Sequence, residues 1–300
     1  MENIIKIQHL SKDYGQGRGI FDMNLNIHKG EVFGLVGVNG AGKTTTLRLL
    51  MGFLKASQGE AEIAGLNVWK EASKIKSFVG YVPGEIAFPD TKSGQSFLKL
   101  QLDLLGEKSK NNRRVNELIQ KLKIDTTADI KRMSKGMKQK MALVCAFMTD
   151  SDVLLLDEPT TGLDPVMRDV FIELVKEAKA AGKTVVMSSH MFNELEPTCD
   201  RIAFIKDGKI VNILDKSKMD DIRRYQLFEV EFDDKQDYYA FRELGFQIKQ
   251  DFPSRYQVNV VIQDQQAPTL IDVLGKIKLN NVSISRMGLD NYFAEELASK

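Results

Sequence analysis

The 300-residue chain is poor in the residues that staple small folds and bind metals: two cysteines, three histidines and one tryptophan. Cys145 and Cys199 have no metal-like spacing, so neither a disulfide framework nor a cysteine zinc site is expected, and both are read as reduced thiols. No run of about 18 apolar residues occurs, which excludes a membrane-spanning helix of ordinary length. The opening Met-Glu-Asn-Ile-Ile-Lys lacks the charged, apolar and small-residue order of a secretory signal. The net charge is only +1, so no global field favours nucleic acid or a membrane surface. The expectation is a cytosolic protein without a nucleic-acid partner, any membrane role coming through another chain. What is present, 43% hydrophobic and 28% charged residues, matches a globular protein of one large or two ordinary domains.

The most informative stretch is Val153–Pro165, V-L-L-L-D-E-P-T-T-G-L-D-P. Val153 to Leu156 is a continuous apolar run, as in a strand buried on both faces of a parallel sheet. Asp157 and Glu158 follow where it ends. In open α/β sheets, ligands sit beyond the carboxyl ends of the strands. One carboxylate there can hold a Mg²⁺ shell while the other orients or deprotonates water.

A second strand, Glu31–Val36, runs into Gly37-Val38-Asn39-Gly40-Ala41-Gly42-Lys43-Thr44, and Thr45–Phe53 then has helical spacing. This is G-x-x-x-x-G-K-[ST] between a strand and a helix. Its backbone N–H groups can wrap a phosphate, and the helix N-terminus adds partial positive charge. Lys43 supplies a full charge for β- and γ-phosphates, and the Thr44 hydroxyl can ligate Mg²⁺. These features predict a nucleoside-triphosphate site.

Around these motifs, Ile4–Leu10 and Gly19–Ile27 alternate as strands, joined by a turn that carries Tyr14, for which packing and stacking on a base both fit. Ala61–Val68 and Phe78–Pro83 read as strands, and Ser93–Leu105 as a helix. Glu107–Met141 reads as helical and basic, with eleven Lys/Arg against four Asp/Glu; a solvated face and an anion-facing surface both fit. Ser134 is the expected N-cap of a helix running to Met148, with Gly136 in its first turn. A helix over Val166–Ala181, a buried strand Thr184–Ser189 ending at His190, and a hairpin around Asp207-Gly208 complete the first region.

Taken together, Gly37–Thr44, Ser134-x-Gly136, L-L-L-D-E-P-T-T-G-L-D-P and His190 resemble, in this order, the ATPase subunits of ATP-binding cassette (ABC) transporters. The resemblance covers roughly residues 1–215. It implies an α/β P-loop NTPase core, a mixed sheet with a helical subdomain over about 84–148, and ATP with Mg²⁺ as ligands. Carried over by position, Tyr14 stacks on adenine. Val38, Asn39, Gly40, Ala41, Gly42, Lys43, Thr44 and Thr45 hold the phosphates. Thr44 and Asp157 hold Mg²⁺, Glu158 polarises water, and His190 contacts the γ-phosphate. Asp164 lies in the loop that reaches the opposite subunit. Two such domains sandwich ATP, so Ser134 and Gly136 complete the site of the other copy, in a homodimer or with a paralogue.

Two positions depart from the family pattern. The usual L-S-G-G-Q reads Met133-Ser134-Lys135-Gly136-Met137, which keeps the serine and second glycine. The loop that ordinarily carries a metal-binding glutamine reads Val82-Pro83-Gly84-Glu85-Ile86, and Glu85 is read as its replacement.

Residues 216–300 read as an accessory domain of order β-α-β-β-α-β, a small ferredoxin-like module. Its strands are expected at Tyr225–Phe232, near 246–250 and 256–262, and at Val282–Arg286. Its helices are expected at Gln236–Leu244 and Pro268–Lys278, flanked by Ser217–Arg224 and Asn291–Leu297. Dimerisation, regulation and passive stabilisation all fit this domain. The ending Gly288-Leu289-Asp290-Asn291-Tyr292-Phe293 is similar to the tails of ABC-2-type exporter ATPases. It implies export through a separate membrane permease, with the ATPase peripheral on the inner face of the cell membrane. The alternative is an ABC ATPase serving a non-transport partner such as the ribosome; a single cassette without heptad repeats speaks against it.

Overall fold

A computed structural model describes residues 2–89, 91–105 and 112–293. The chain divides into two compact units, Met1–Leu214 and Asp215–Lys300.

The first unit runs β1 (Asn3–Asp13), β2 (Gly19–His28), β3 (Val32–Val36), α1 (Lys43–Leu50), β4 (Gln58–Ile63), β5 (Leu66–Asn67), α2 (Ala72–Ile75) and β6 (Val79–Val82). It continues with α3 (Gly94–Leu105), α4 (Asn112–Lys121), α5 (Lys135–Phe147), β7 (Val153–Asp157), α6 (Pro165–Ala180), β8 (Thr184–Ser189), α7 (Phe192–Leu195), β9 (Arg201–Lys206) and β10 (Lys209–Asp215). A six-stranded sheet has the order β10-β9-β3-β8-β7-β6. Its strands β9, β3, β8, β7 and β6 pair in parallel. Apolar runs such as Val-Leu-Leu-Leu suit this place, because helices and a second sheet cover both faces. Every residue of β3, β7 and β8 is buried. The second sheet, β2-β1-β4-β5, is antiparallel. Ile5, Ile63, Leu35, Leu47 and Leu155 join the two sheets and α1 in one apolar core.

Two expected elements differ. Ala61–Val68 is not one strand but the hairpin β4-β5, turned at Ala64 and Gly65 with φ of 51° and 76°. The long basic stretch is also not continuously helical. Residues 106–111, including its start at Glu107, lie outside the described residues, and α4 ends at Lys121. Asp125 Oδ1 then accepts from the Thr127 N–H at 2.9 Å, and Asp129 Oδ1 accepts from the Lys131 N–H at 2.9 Å. Such side-chain bonds to the backbone compete with helix and favour turns. At Ser134 the chain becomes helical again, and Ser134 Oγ caps α5 by accepting from the Met137 N–H at 3.2 Å.

The second unit runs α8 (Lys216–Ile222), β11 (Tyr225–Phe232), α9 (Lys235–Arg242), β12 (Ile248–Phe252), β13 (Gln257–Gln263), α10 (Ala267–Leu274), β14 (Leu279–Arg286) and α11 (Leu289–Tyr292). The sheet order β12-β13-β11-β14, antiparallel throughout, is the ferredoxin-like arrangement. Phe228, Val230 and Phe232 pack against Tyr238 and Phe241 of α9 and Leu270 of α10. The last helix begins at Leu289, ahead of the expected Asn291, and residues 294–297 of that expectation lie outside the described residues.

Candidate nucleotide site

The site is assembled at the carboxyl ends of β3, β7 and β8, adjacent in the parallel sheet. After β3 the chain turns through the glycine-rich loop into α1. Gly42, the N-cap of α1, has φ 114° and gives the helix no side-chain cap. The first-turn N–H groups are therefore left for a ligand rather than a neighbouring side chain. A Cβ at Gly42 would also lie 2.6 Å from Ile20 Cγ2. Lys43 is 6% exposed. Its Nζ donates to the carbonyls of Gly37 at 2.7 Å and Val38 at 3.2 Å, and pairs with Glu158 Oε1 at 3.5 Å.

Asp157 is the last residue of β7, opposite Ser188 in β8, and is fully buried. Its Oδ1 accepts from Thr44 Oγ1 at 3.0 Å and from Ser188 Oγ at 2.7 Å. Its Oδ2 is buried and has no hydrogen-bond partner. A buried carboxylate oxygen without a partner is costly, so this atom is chemically matched to a bound cation. With Thr44 Oγ1 beside it, the donor set is one carboxylate and one hydroxyl. That suits Mg²⁺, which takes one or two protein oxygens and fills its octahedron with phosphate oxygens and water. Among the described residues no group of three His, Cys, Asp or Glu side chains could hold a metal.

Glu158 has φ of 49°, a left-handed conformation costing about 1–3 kcal/mol in a residue other than glycine. Its N–H donates to Ser188 Oγ at 2.9 Å. Its carboxylate lies between Lys43 and His190, whose Nδ1 donates to Oε2 at 2.9 Å. His190 follows β8 directly, and its neighbour Ser189 bonds to Glu194.

Lys43, Thr44, Thr45, Glu158, His190 and Glu85 line one cavity of about 390 Å³, with Asn39, Gly40 and Gly42 at its loop side. Val38 is 52% exposed and Ala41 is buried, and neither side chain lines it. Glu85 is exposed on the rim. The position packed against Asp157 is Gly84, where a Cβ would lie 2.7 Å from Oδ2. Arg48 and Thr161 also line the cavity, as sequence reasoning did not foresee. Tyr81 stands nearby: burial, and after it the negative charge of Asp157, push its phenol up to about 12.

Besides Val38, Ala41 and the fully buried Asp157, three further expected residues do not line this cavity. Tyr14 is 53% exposed in the β1–β2 turn, with Lys12 over its ring. Ser134 caps α5. Gly136 packs on the loop after Glu158, where a Cβ would lie 2.6 Å from the Gly162 carbonyl oxygen. A larger depression, about 720 Å³, is lined by residues of α4 and α6. Its charges are matched in pairs, including Arg113 with Glu117 and Lys183 with Asp150.

Ser188 was not singled out from sequence either. The signal was present as a hydroxyl residue two places before His190, near the end of a strand read as buried.

Comparisons with known proteins point to one family. The family profile described as ABC transporter matches residues 20–161. The chain is 31% identical to the uncharacterized ABC transporter ATP-binding protein YhcH of Bacillus subtilis, over 98% of this chain and 96% of that protein. It is 34% identical to the Nod factor export ATP-binding protein I of Cupriavidus pinatubonensis, over 69% of this chain and 64% of that one. Among solved structures, an ATP-binding subunit of an ABC transporter superposes with a TM-score of 0.66 at 27% identity, covering 74% of this chain and 92% of that chain.

Proposed function

This chain belongs to the ATP-binding subunits of ABC transporters, and we propose that it hydrolyses ATP in the 390 Å³ cavity to drive export through a separately encoded membrane permease. The observation that carries the reading is the bare Oδ2 of Asp157 beside Thr44, at the mouth of the Gly37–Thr44 loop.

Loop N–H groups and the N-terminus of α1 receive the phosphates, and Lys43 moves its charge from the Gly37 and Val38 carbonyls onto the β- and γ-oxygens. Thr44 Oγ1 and Asp157 Oδ2 would hold Mg²⁺, with Glu85 at the rim as a further acceptor. When bound, the ion neutralises charge on the phosphate oxygens. Glu158 orients a water and accepts its proton as the water oxygen bonds to the γ-phosphorus. The bond from that phosphorus to the β,γ-bridging oxygen breaks, leaving ADP and inorganic phosphate. His190 holds Glu158 in line through Nδ1 and faces the γ-phosphate. Tyr14 stacks on adenine.

Ser134, Gly136 and the start of α5 lie apart from the cavity of their own chain. That favours the reading in which they cover the γ-phosphate of a second copy, identical or paralogous, with the N-terminal dipole of α5 aimed at it. Export rather than import is supported by the Gly288–Phe293 ending and by the likeness to the Nod factor export protein. No helix among the described residues is long and apolar enough to cross a membrane, and a cytoplasmic, permease-bound location fits that finding.

The test is light scattering after size-exclusion chromatography on the Glu158→Gln variant, with and without Mg-ATP, beside turnover of the wild type. The expected outcome is wild-type hydrolysis, a loss of about 10²–10⁴-fold in the variant, and an ATP-dependent dimer. Unchanged ATP consumption in the variant would remove Glu158 from the chemistry and overturn the reading.

A further inference from the structure

Ser188 sits at the centre of the nucleotide site, yet the hydrolytic scheme above gives it no task. It lies in β8, between Leu35 of β3 and Asp157 of β7 in the parallel register, and is 0% exposed. A hydroxyl there must find partners inside the protein. The backbone groups around it are engaged in the ladders to both neighbouring strands. Both capacities of Oγ go instead to the two consecutive carboxylate residues of the site. Its proton goes to Asp157 Oδ1 at 2.7 Å, and it accepts the Glu158 N–H at 2.9 Å.

Two consequences follow from this geometry. First, Oδ1 of Asp157 receives two donors, from Ser188 and Thr44, while Oδ2 receives none. The orientation of the carboxylate is thereby set, with Oδ2 toward Gly84. Thr44 has a second duty toward the cation, whereas Ser188 has no other claim on its proton. Second, Glu158 is held at φ 49°, where its backbone needs a tether to persist. The Ser188 oxygen is that tether, and the conformation aims the Glu158 side chain between Lys43 and His190.

We infer that Ser188 is a positioning residue for hydrolysis: one hydroxyl decides which oxygen of Asp157 is presented to the cation and fixes the backbone from which Glu158 reaches the water. The inference rests on the ATPase reading of the same site. It concerns a group that touches neither nucleotide nor water, and it acts through its two neighbours.

Ser188→Ala, Ser188→Cys and Ser188→Thr in the full chain separate this role from packing. Cysteine keeps the size but is a weak donor and acceptor, and threonine keeps the hydroxyl. The readouts are turnover against ATP KM, nucleotide affinity without divalent ion, thermal stability, and Mn²⁺ affinity by electron paramagnetic resonance with a non-hydrolysable ATP analogue. The alanine and cysteine variants are expected to lose about 10- to 100-fold in both Mn²⁺ affinity and kcat, the range for supporting hydrogen bonds at metal sites. Metal-free nucleotide affinity stays within about twofold, and threonine restores most of the loss. An alanine variant with wild-type Mn²⁺ affinity overturns the inference. So does one whose metal-free nucleotide binding collapses in parallel, or a threonine variant as weak as alanine at unchanged melting temperature. Should the wild type bind Mn²⁺-nucleotide without turning ATP over, the ATPase reading falls, while the Mn²⁺ comparison still decides the part of Ser188.

Discussion

Gly84 and Asp157 are packed so closely that a Cβ at position 84 would lie 2.7 Å from Asp157 Oδ2. The contact joins the loop after β6 to the end of β7. It falls on the one oxygen of that carboxylate with no partner. A side chain at this position has to displace a carboxylate that two hydroxyls already pin.

Gly84→Ala is therefore expected to rotate Asp157 away from its present setting and to weaken Mg²⁺-dependent nucleotide binding by about 10- to 100-fold. Binding without divalent ion, which relies on the loop and Lys43, stays near wild type. Fluorescent-nucleotide titrations with Mg²⁺ and with a chelator distinguish the two. Equal weakening in both would show that the loop, not the cation site, had been disturbed.

Glu158 pays for its role with backbone strain at φ 49°. Glycine adopts this conformation freely, which releases about 1–3 kcal/mol against an entropic cost of about 0.5–1 kcal/mol. Glu158→Gly is expected to gain about 1 kcal/mol in stability by this balance while losing about 10²–10⁴ in turnover. Thermal denaturation and ATPase assays on the same preparation test both halves. A less stable variant would mean that the contacts to Lys43 and His190 outweigh the strain.

Both thiols should be unreactive in the native protein. Burial pushes Cys145 up to about 12, and it raises Cys199, 2% exposed, still further. A thiol with its pKa raised to about 12 has on the order of 10⁻⁴ of its population as thiolate at pH 8, and the thiolate is the reactive form. The sign runs toward stability at neutral pH. The neutral thiol is favoured on folding, so the contribution is present below the ordinary thiol range and fades as pH rises toward the folded value. A thiol reagent at pH 8 should titrate both cysteines after denaturation and neither before. Rapid native labelling of Cys199 would contradict its buried place beneath Gly34, where a Cβ would meet its Sγ at 3.0 Å.

Much of the architecture was legible because its signals are local. The apolar runs of β3, β7 and β8 need no partner to be recognised as strands, and the glycine-rich loop followed by Lys43 carries its own chemistry. The ferredoxin-like order of the second unit could be read from alternating strands and spaced helices. The hairpin inside Ala61–Val68 was missed because Ala64 adopts a positive φ that alanine does not advertise. The break in the long basic stretch was missed because helical spacing persists on paper where Asp125 and Asp129 bond their own backbone neighbours instead.

By itself the sequence determined most of the segments that become strands, loops and helices, and which of them carry phosphate-binding and acidic chemistry. Those properties depend on residues only a few positions apart. The tertiary structure alone decided that Thr44 would reach Asp157 across 113 positions of sequence, and that Ser188 would meet both Asp157 and Glu158. It also left Gly84 covering the free oxygen and left Ser134 outside the cavity. A hydrogen bond acts over about 3 Å, and only the register of the parallel strands brings such distant side chains within that reach.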